Sequence, residues 1–477
     1  MDNKFNRREF LSSAALIGAA GTVGSGAFLS SCSGSASGDK LVPLRPASEV
    51  YIPDLPDKAV EGKPLRAALI GCGSRGSGAA QNFLRAGDGL SIVACADIFE
   101  DRMTRCRTML KERMNNEIAD DKCFLGFEAY KKVLELPEID IAIIATPSLF
   151  HPTQLKYALD MGKHVFCEKA AAIDAVGYRT YMLAIKQAVS SGLNVVTGTQ
   201  RHHQRGYVES YKRIQEGYIG RITSGNVYWN QGIMNFAVRR PEWTDMEYMF
   251  RDFFSWNWLC GDHVIDQLVH NIDVFVWFSH LKPVRVIGMG SRLRRYTGNI
   301  YDNFSADIEF EGGVHLHGMA RQIDNCDNRV GEIIQGTKGS WNSLNDQWTI
   351  LDLDGNVVWQ FDKEAEKEQY EQRDPYTLEH VNLVNHIRQG KVINIAETTA
   401  ISSMAGIMAR ESAYSGKAYT WDEMVSSDLN LMPDELTLGN VDMAKYNAIP
   451  LPGTVPMPPT PRATTTQGSG QQRANRQ

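Results

Sequence analysis

A glycine-rich turn between a short apolar run and a helical pattern constrains the fold of this chain most. The stretch "LRAALIGCGSRGSGAAQNFLRA" places Gly71, Gly73 and Gly76 in the spacing G-x-G-x-x-G. In such a turn the first glycine permits a sharp bend, the second admits a pyrophosphate, and the third lets the helix pack on the strand. The helix N-terminus adds amide groups that favour phosphate. The segment therefore predicts a dinucleotide site with Ser74 and Arg75 beside the phosphates.

The next apolar run ends in a carboxylate that bears on the choice of nucleotide. The stretch "LSIVACADIFEDR" predicts a second strand ending in Asp97, about twenty residues after the glycines, where a carboxylate binds the ribose hydroxyls. Because an acid there repels a 2′-phosphate, we expect NAD rather than NADP. Arg102 weakens this preference slightly. The alternative is a related fold that has lost its nucleotide.

Helical and strand patterns alternate up to about residue 200 and predict a doubly wound parallel sheet, an α/β Rossmann domain. Ligands of such sheets bind at the carboxyl ends of the strands. The polar residues at three predicted strand ends are Thr146, Pro147, His151, Glu168, Lys169, Gln200 and Arg201. We expect the first five to contact the cofactor and the last two to contact the substrate. Beyond Arg201 the pattern changes to antiparallel strands, which predicts a C-terminal α/β domain with a large open, mostly antiparallel sheet.

A stripe of imidazoles and carboxylates follows within "GDHVIDQLVHNIDVFVWF". Read as a helix, the segment places His263, Asp266, His270 and Asp273 on one side and apolar residues on the other. A solvated face would normally carry lysine or serine, so the stripe predicts the wall of a cleft, with His263 as a further substrate contact. The alternatives are a solvated surface with incidental histidines, or a metal site formed by Asp266, His270 and His263.

The segments "GCGSRG", "ATPSLFH", "CEKA" and "DQLVHNID" have the order and spacing of the Gfo/Idh/MocA oxidoreductase family, which this sequence resembles over nearly its whole mature length. The resemblance implies a Rossmann domain, a C-terminal open-sheet domain, and NAD(P)-dependent oxidation or reduction of sugars or polyols without a metal. It also implies that Lys169, Asp266 and His270 are catalytic. Either His270 or Lys169 takes the hydroxyl proton. The usual Glu-Lys-Pro signature reads Glu168-Lys169-Ala170 here.

The N-terminal segment resembles an export signal. Arg7 and Arg8 precede a weakly apolar run that ends in Leu29-Ser30-Ser31-Cys32, a pattern typical of a twin-arginine signal that ends in a lipobox. It predicts a periplasmic or outer-membrane lipoprotein anchored through lipid on Cys32; the alternative is an ordinary signal peptidase site. We expect a signal (1–31), a flexible tether (32–63), the Rossmann domain (64–200), the C-terminal domain (201–440), whose late helices pack on the Rossmann domain, and a disordered tail (441–477).

Charge and cysteine usage narrow the classes of partner. The formal net charge is −6, and the absence of a basic stripe argues against nucleic acid. Of the eight cysteines, the seven after Cys32 match no zinc or redox motif and are interpreted as small buried hydrophobes. We expect a homo-oligomer that forms through the open sheet.

Three functions remain open from the sequence. The first is NAD-dependent oxidation of a secondary hydroxyl in a sugar or glycoside, forming a 3-keto-glycoside that a downstream enzyme cleaves. The choice of C3 follows from the family resemblance. The second is an NAD-dependent glycosidase that acts by transient oxidation and elimination. The third is a non-catalytic sugar-binding lipoprotein.

Overall fold

The structure is a computed structural model that describes residues 41–234 and 236–453. These residues form two sheets, one entirely parallel and one mainly antiparallel, which confirms the predicted fold class. No helix in this part of the chain is long and apolar enough to cross a membrane. The predicted twin-arginine signal, Cys32 and the tail beyond 453 lie outside the described residues.

The first sheet is parallel throughout. Its strands are β1 (Leu65–Ile70), β2 (Leu90–Asp97), β3 (Cys123–Leu125), β4 (Ile141–Ile144), β5 (His164–Cys167) and β6 (Val195–Thr197). They lie in the order β3-β2-β1-β4-β5-β6, which is the order of a doubly wound dinucleotide-binding sheet. Strand β4 is buried along its whole length, because helices cover both faces of such a sheet.

Five helices connect these strands. They are α1 (Ser74–Arg85), α2 (Glu100–Met114), α3 (Ala129–Leu134), α4 (His151–Asp160) and α5 (Ala175–Ser190). Helix α5 begins where the side chain of Asp174 accepts a hydrogen bond from the Gly177 amide, a cap that satisfies one of the free donors of the first turn.

The second sheet has nine strands and is antiparallel except where β7 pairs with β10. The strands are β7 (Ile222–Gln231), β8 (Pro283–Ser291), β9 (Asn303–Phe310), β10 (Val314–Gln322), β11 (Arg329–Gly336), β12 (Gly339–Asn342), β13 (Thr349–Asp352), β14 (Val357–Gln360) and β15 (Tyr419–Thr420). They lie in the order β14-β13-β12-β11-β7-β10-β9-β8-β15.

Helices cover one face of the second sheet and leave the other open. The helices of this half are α6 (Arg205–Gln215), α7 (Asp245–Arg251), α8 (Asn257–Cys260), α9 (Val269–Ser279), α10 (Lys363–Gln369), α11 (Pro375–Arg388), α12 (Ala396–Ser415), α13 (Trp421–Ser426) and α14 (Ala444–Asn447). Helices α9 and α12 pack on the covered face. On the open face Ile287 is 53% exposed and Met289 is 68% exposed.

The late helix α11 returns to the first sheet, where it packs on α1. The Asn82 amide of α1 donates hydrogen bonds to Asp374 (2.8 Å) and Thr377 (3.0 Å) at the start of α11. These polar contacts are buried and tie residues almost 300 positions apart.

Two segments predicted to be flexible pack against the rest of the described chain instead. Within 42–63, Leu55 is buried and the Tyr51 hydroxyl donates to Asn382 (3.0 Å). Within 441–453, the Pro450 carbonyl accepts a hydrogen bond from the Tyr301 hydroxyl (2.7 Å). The proline-rich composition of both segments indicated linkers, but a few apolar and hydroxyl side chains suffice to anchor them.

Candidate active site

The three glycines of the turn between β1 and α1 differ in what surrounds them. Gly71 has a φ of +94°, which side chains other than glycine rarely adopt. A Cβ at Gly76 would lie 1.8 Å from the Gly71 carbonyl oxygen, so only glycine lets α1 pack so closely. A Cβ at Gly73 would meet nothing within 4 Å. The backbone of Gly73, at the start of α1, therefore borders open space, as a phosphate-binding turn requires.

That open space belongs to a cavity of about 1020 Å³ at the carboxyl ends of the first strands. The predicted cofactor residues that line it are Gly71, Gly73, Ser74, Arg75, Asp97, Thr146 and Pro147. A cavity of this size is at the upper end of the range for small-molecule sites. Its floor, a glycine turn at a helix N-terminus, suits a pyrophosphate.

Backbone amides hold the carboxylate of Asp97 at the wall of this cavity. One oxygen accepts from the Cys72 amide (2.6 Å) and the other from the Phe99 amide (2.8 Å). Burial raises the pKa of this carboxyl, and Arg102 acts in the opposite direction. The Arg102 guanidinium donates to the Arg251 carbonyl (3.4 Å). Asp97, at the end of β2, thus presents a fixed carboxylate to the cavity.

Residues of the second half form a roof over the same cavity. Met234, Phe236, Phe250 and Phe254 line it from that side. Arg251, at the end of α7, pairs with Asp101 of α2 (3.0 Å) and so joins the roof to the first sheet's layer. No sequence motif predicted this roof; its residues fall in the two stretches "GIMNFA" and "MFRDFFSWNWL".

The side chains of Lys169 and Asp266 meet near the Pro147 end of the cavity: neither lines it, but the Lys169 carbonyl accepts a hydrogen bond from Ser148, which follows Pro147 (3.4 Å). The Lys169 ammonium donates to the Asp266 side chain (3.0 Å) and to its backbone carbonyl. The second carboxylate oxygen of Asp266 accepts from Gln267 (2.7 Å). The Lys169–Ala170 peptide is cis, and the Ala170 amide donates to Ser148 (3.2 Å).

His270 lies near this pair, and its ring stacks on Trp229 with centroids 5.3 Å apart. Burial lowers its pKa well below 6.5, and the positive charges of Lys169 and Arg201 act in the same direction. The ring is therefore neutral near pH 7. Among residues 41–234 and 236–453, no hydrogen bond engages either ring nitrogen, and 7% of the residue remains exposed.

The helix carrying the stripe differs from the two-faced helix that the sequence predicts. A π-helical turn, Val264–Leu268, precedes α9, and nearly every residue of both is buried. The side-chain amide nitrogen of Gln322 donates to His263 Nδ1 (2.7 Å), and Asp273 pairs with His202 (2.5 Å). The extra residue in the π turn changes the angular spacing, so Asp266 pairs with Lys169 whereas Asp273 pairs with His202.

Two residues predicted to bind the cofactor have internal partners. His151 is fully buried, with its ring nitrogens 2.7 Å from the Ala170 carbonyl and 2.8 Å from the Thr146 carbonyl. Burial lowers its pKa to about 4; a neutral ring has one N–H, so it donates to one of these carbonyls and only contacts the other. Glu168 is 6% exposed and pairs with Arg75 (2.7 Å), which places the Arg75 side chain at the cavity wall.

The predicted substrate residues reach the second sheet. Arg201 pairs with Glu332 of β11 (2.5 Å), and its guanidinium lies 5.4 Å from the Trp229 ring centre. The amide oxygen of Gln200 is buried, with no hydrogen-bond partner in the described chain. Glu332 and Trp229 were missed because isolated strand residues carry no motif.

A second missed carboxylate lies under the glycine turn. Glu379 of α11 is fully buried, and neither of its oxygens has a hydrogen-bond partner among the described residues. Burial raises its pKa well above 4.5, and the neighbouring Glu168 acts in the same direction. Arg75, of the neighbouring Arg75–Glu168 pair, acts in the opposite direction. The sequence context of Glu379, "YTLEHVN", shows only an ordinary helix.

Comparison with known families identifies both halves of the chain. Residues 65–186 match the profile described as "Oxidoreductase family, NAD-binding Rossmann fold", and residues 207–342 match the "GFO/IDH/MocA C-terminal domain". Together the two matches cover more than half of the chain.

Relatives of known name match over shorter stretches. Glycosyl hydrolase family 109 protein 1 of Bacteroides fragilis is 33% identical over 133 residues, which are 28% of this chain and 27% of the relative. The chain thus spans about a quarter of that relative. A 1,5-anhydro-D-fructose reductase of Ensifer adhaerens is 24% identical over 213 residues, 43% of this chain and 56% of the relative.

Among solved structures, scyllo-inositol dehydrogenase from Lactobacillus casei with bound NAD(H) and scyllo-inositol has a similar fold. Its TM-score is 0.56 at 20% identity, covering 75% of this chain and 99% of that one. At that identity the likeness shows a shared fold.

Proposed function

Because the chain belongs to the Gfo/Idh/MocA oxidoreductase family, we propose that it is an NAD-dependent oxidoreductase acting on a secondary hydroxyl of a sugar or glycoside. The observation that carries the proposal is the meeting of Lys169, Asp266 and His270 beside the end of a dinucleotide-sized cavity. Lys169 follows β5 of one sheet, whereas Asp266 and His270 lie in the π turn and in α9, which packs on the other sheet.

The residues present fit NAD. The open space at Gly73, the helix N-terminus at Ser74 and the carboxylate of Asp97 match the pyrophosphate and the ribose in turn. NAD, when bound there, supplies the hydride acceptor. Asp97 favours NAD over NADP for the electrostatic reason given above.

The three side chains divide the acid–base work. Asp266 fixes the Lys169 ammonium, which then donates a hydrogen bond to the substrate hydroxyl oxygen. The neutral ring of His270 has a free nitrogen and accepts the hydroxyl proton there. The stacked Trp229 holds the ring plane in place.

The decisive experiment incubates the purified protein with a panel of sugars and glucosides and follows absorbance of bound NADH and the appearance of reducing ends together. We expect NADH to form with at least one substrate and a product that has lost two hydrogen atoms by mass spectrometry. A 3-keto-glycoside is the product we propose. Its acidified C2 proton prepares the glycosidic bond for elimination by a downstream enzyme. Absence of any redox change with substrates that bind would contradict the proposal.

A second candidate is an NAD-dependent glycosidase, in which oxidation is transient and the hydride returns. The roof held by the Asp101–Arg251 pair favours a cofactor retained through turnover, and the family 109 glycosyl hydrolase relative supports it. The same experiment separates the two candidates, because the glycosidase releases reducing ends without net NADH. The third candidate, a non-catalytic sugar-binding protein, would produce neither NADH nor reducing ends.

We propose further that the protein is exported folded around its cofactor. The support is the sequence pattern of Arg7, Arg8 and Cys32. Replacing both arginines with lysine should leave an unprocessed precursor in the cytoplasm, seen by fractionation and immunoblotting. Normal export of that variant would refute the twin-arginine assignment. Purified wild-type protein should retain NAD(H) without supplementation.

A homo-oligomer formed through the open sheet face is also proposed, because Ile287 and Met289 are exposed side by side with other apolar groups of that face. Ile287→Glu should shift the mass measured by light scattering toward the monomer. The exposed Val42→Glu variant is the matched control. An unchanged mass for Ile287→Glu would exclude this face.

A further inference from the structure

Four cysteines of the Rossmann domain form a row of neighbouring thiols. Cys72 and Cys106 line the cofactor cavity. The neighbouring thiols of Cys106 and Cys95, together with burial, raise the pKa of Cys72, and the sulfur atoms of Cys95 and Cys123 lie 3.6 Å apart. The row therefore runs from the cavity to the outer strand of the sheet, β3. The proposed oxidoreductase chemistry uses none of these thiols.

The last two members of the row are placed to react with each other. Cys95 and Cys123 are directly paired in register on the adjacent strands β2 and β3. Paired residues of neighbouring strands have Cα atoms about 5 Å apart, within the range that a disulfide spans. Cys123 is half-buried, whereas Cys95 is buried. A soluble disulfide therefore reaches the Cys123 sulfur first, and the Cys95 sulfur stands directly behind it.

The surroundings make Cys95 the attacking group. A hydrogen bond from Cys72 lowers the pKa of the Cys95 thiol, and the Arg107 guanidinium acts in the same direction. Burial raises the pKa of Cys123 to about 12. A thiolate is the reactive form in disulfide exchange. The slow event is thus the first reaction at Cys123, and closure by Cys95 follows it.

We propose that Cys95 and Cys123 are a disulfide-forming modification site, oxidised by a small-molecule or protein disulfide. In the first step the Cys123 sulfur bonds to one sulfur of the oxidant and the other leaves as a thiol. In the second step the Cys95 thiolate attacks the Cys123 sulfur, and the second thiol leaves. Two cysteine thiols lose two electrons and two protons, and one disulfide becomes two thiols. The bond joins β3 to β2, the strand that ends in Asp97.

Glutathione disulfide is the probe, applied to the full-length protein at pH 8.5 because the first step is slow. Trypsin separates the four cysteines onto the peptides 67–75, 86–102, 106–107 and 123–131. The Cys326→Ser background removes the exposed cysteine. We expect loss of two alkylatable thiols and a cross-linked species of 86–102 with 123–131, reversed by dithiothreitol.

Two variants test the assignment. Cys123→Ser should abolish the cross-link, and Cys106→Ser should leave it intact. Thermal unfolding should show a higher melting temperature for the oxidised than for the reduced protein, and this difference should vanish in Cys123→Ser. Separate alkylation of both peptides after oxidation, a cross-link through Cys72, or glutathione left on Cys123 would each overturn the proposal. If Cys123→Ser does not fold, the peptide map of the oxidised parent protein tests the proposal by itself, through the presence or absence of the cross-link between peptides 86–102 and 123–131.

Discussion

The cofactor cavity and the Lys169 cluster are built in opposite ways. The floor of the cavity is backbone from one continuous β-α-β segment, in which Gly71, Gly73 and Gly76 follow each other within six residues. The cluster consists of side chains, and Lys169 and Asp266 are separated by 97 positions. A local backbone site needs only the right spacing of small residues, whereas the cluster exists only once two sheets have packed together. Substitutions in the two regions should therefore separate binding from turnover.

The largest effect expected is at the close contact within the turn. Gly76→Ala would place a Cβ 1.8 Å from a backbone oxygen, so α1 must move off β1 and the folded yield should fall sharply. Gly73→Ala is the matched control, because its Cβ meets open space. We expect Gly73→Ala to retain the wild-type melting temperature and to lose NAD affinity, as measured by calorimetry. Equal melting temperatures for both variants would contradict the packing assigned to Gly76.

The second prediction concerns the cluster. Lys169→Ala and His270→Ala should each lower turnover by roughly 10²–10⁴-fold, the usual contribution of a positioned acid–base group. Both should keep bound NAD, since neither residue lines the cavity floor. Lys156→Ala, which removes an exposed lysine paired within its own helix, should leave turnover unchanged. Turnover rates near wild type in both Lys169→Ala and His270→Ala would show that the catalytic roles proposed for these residues are wrong.

The third prediction returns to the cavity. Asp97→Ala should weaken NAD binding by about 1–3 kcal/mol, because charge-assisted hydrogen bonds to the ribose are lost. It should also narrow the preference for NAD over NADP. Binding of both nucleotides by calorimetry measures the two effects. If wild-type protein binds NADP as tightly as NAD, the role assigned to Asp97 is wrong.

A fourth effect is in the pH dependence of the free energy of unfolding, and it comes from the buried segment that carries His263. Burial lowers the pKa of His263 to about 4 from 6.5, so the unfolded chain binds the proton more readily than the folded one. His263 makes its full contribution to the free energy of unfolding above about pH 6.5. That contribution is lost as the pH falls toward 4, at about 1.4 kcal/mol per pH unit. His263→Gln should flatten this slope in urea unfolding measured from pH 7 to 4.5. An identical slope in the variant would refute the burial of a neutral imidazole.

The sequence predicted the first sheet and a second strand ending in Asp97, and the family resemblance implied that Lys169 lies opposite Asp266, with which it pairs. It could do so because strand–helix alternation and glycine spacing are local properties, and because the remaining motifs match a family. It did not predict that residues 42–63 pack on the body, since composition measures the average of a segment and not its few anchors.

Only the tertiary structure decided which polar groups belong together. The spacing of His263, Asp266, His270 and Asp273 was read as one face, yet the π turn and complete burial direct these side chains to different partners. His151 became a brace between two loops, and Glu332, Glu379 and the roof around Arg251 carried no motif. The cysteines likewise appeared as isolated hydrophobes until strand pairing brought Cys95 and Cys123 together. The spacing of residues along the chain predicts backbone sites such as the glycine turn, whereas contacts between side chains depend on how distant segments pack.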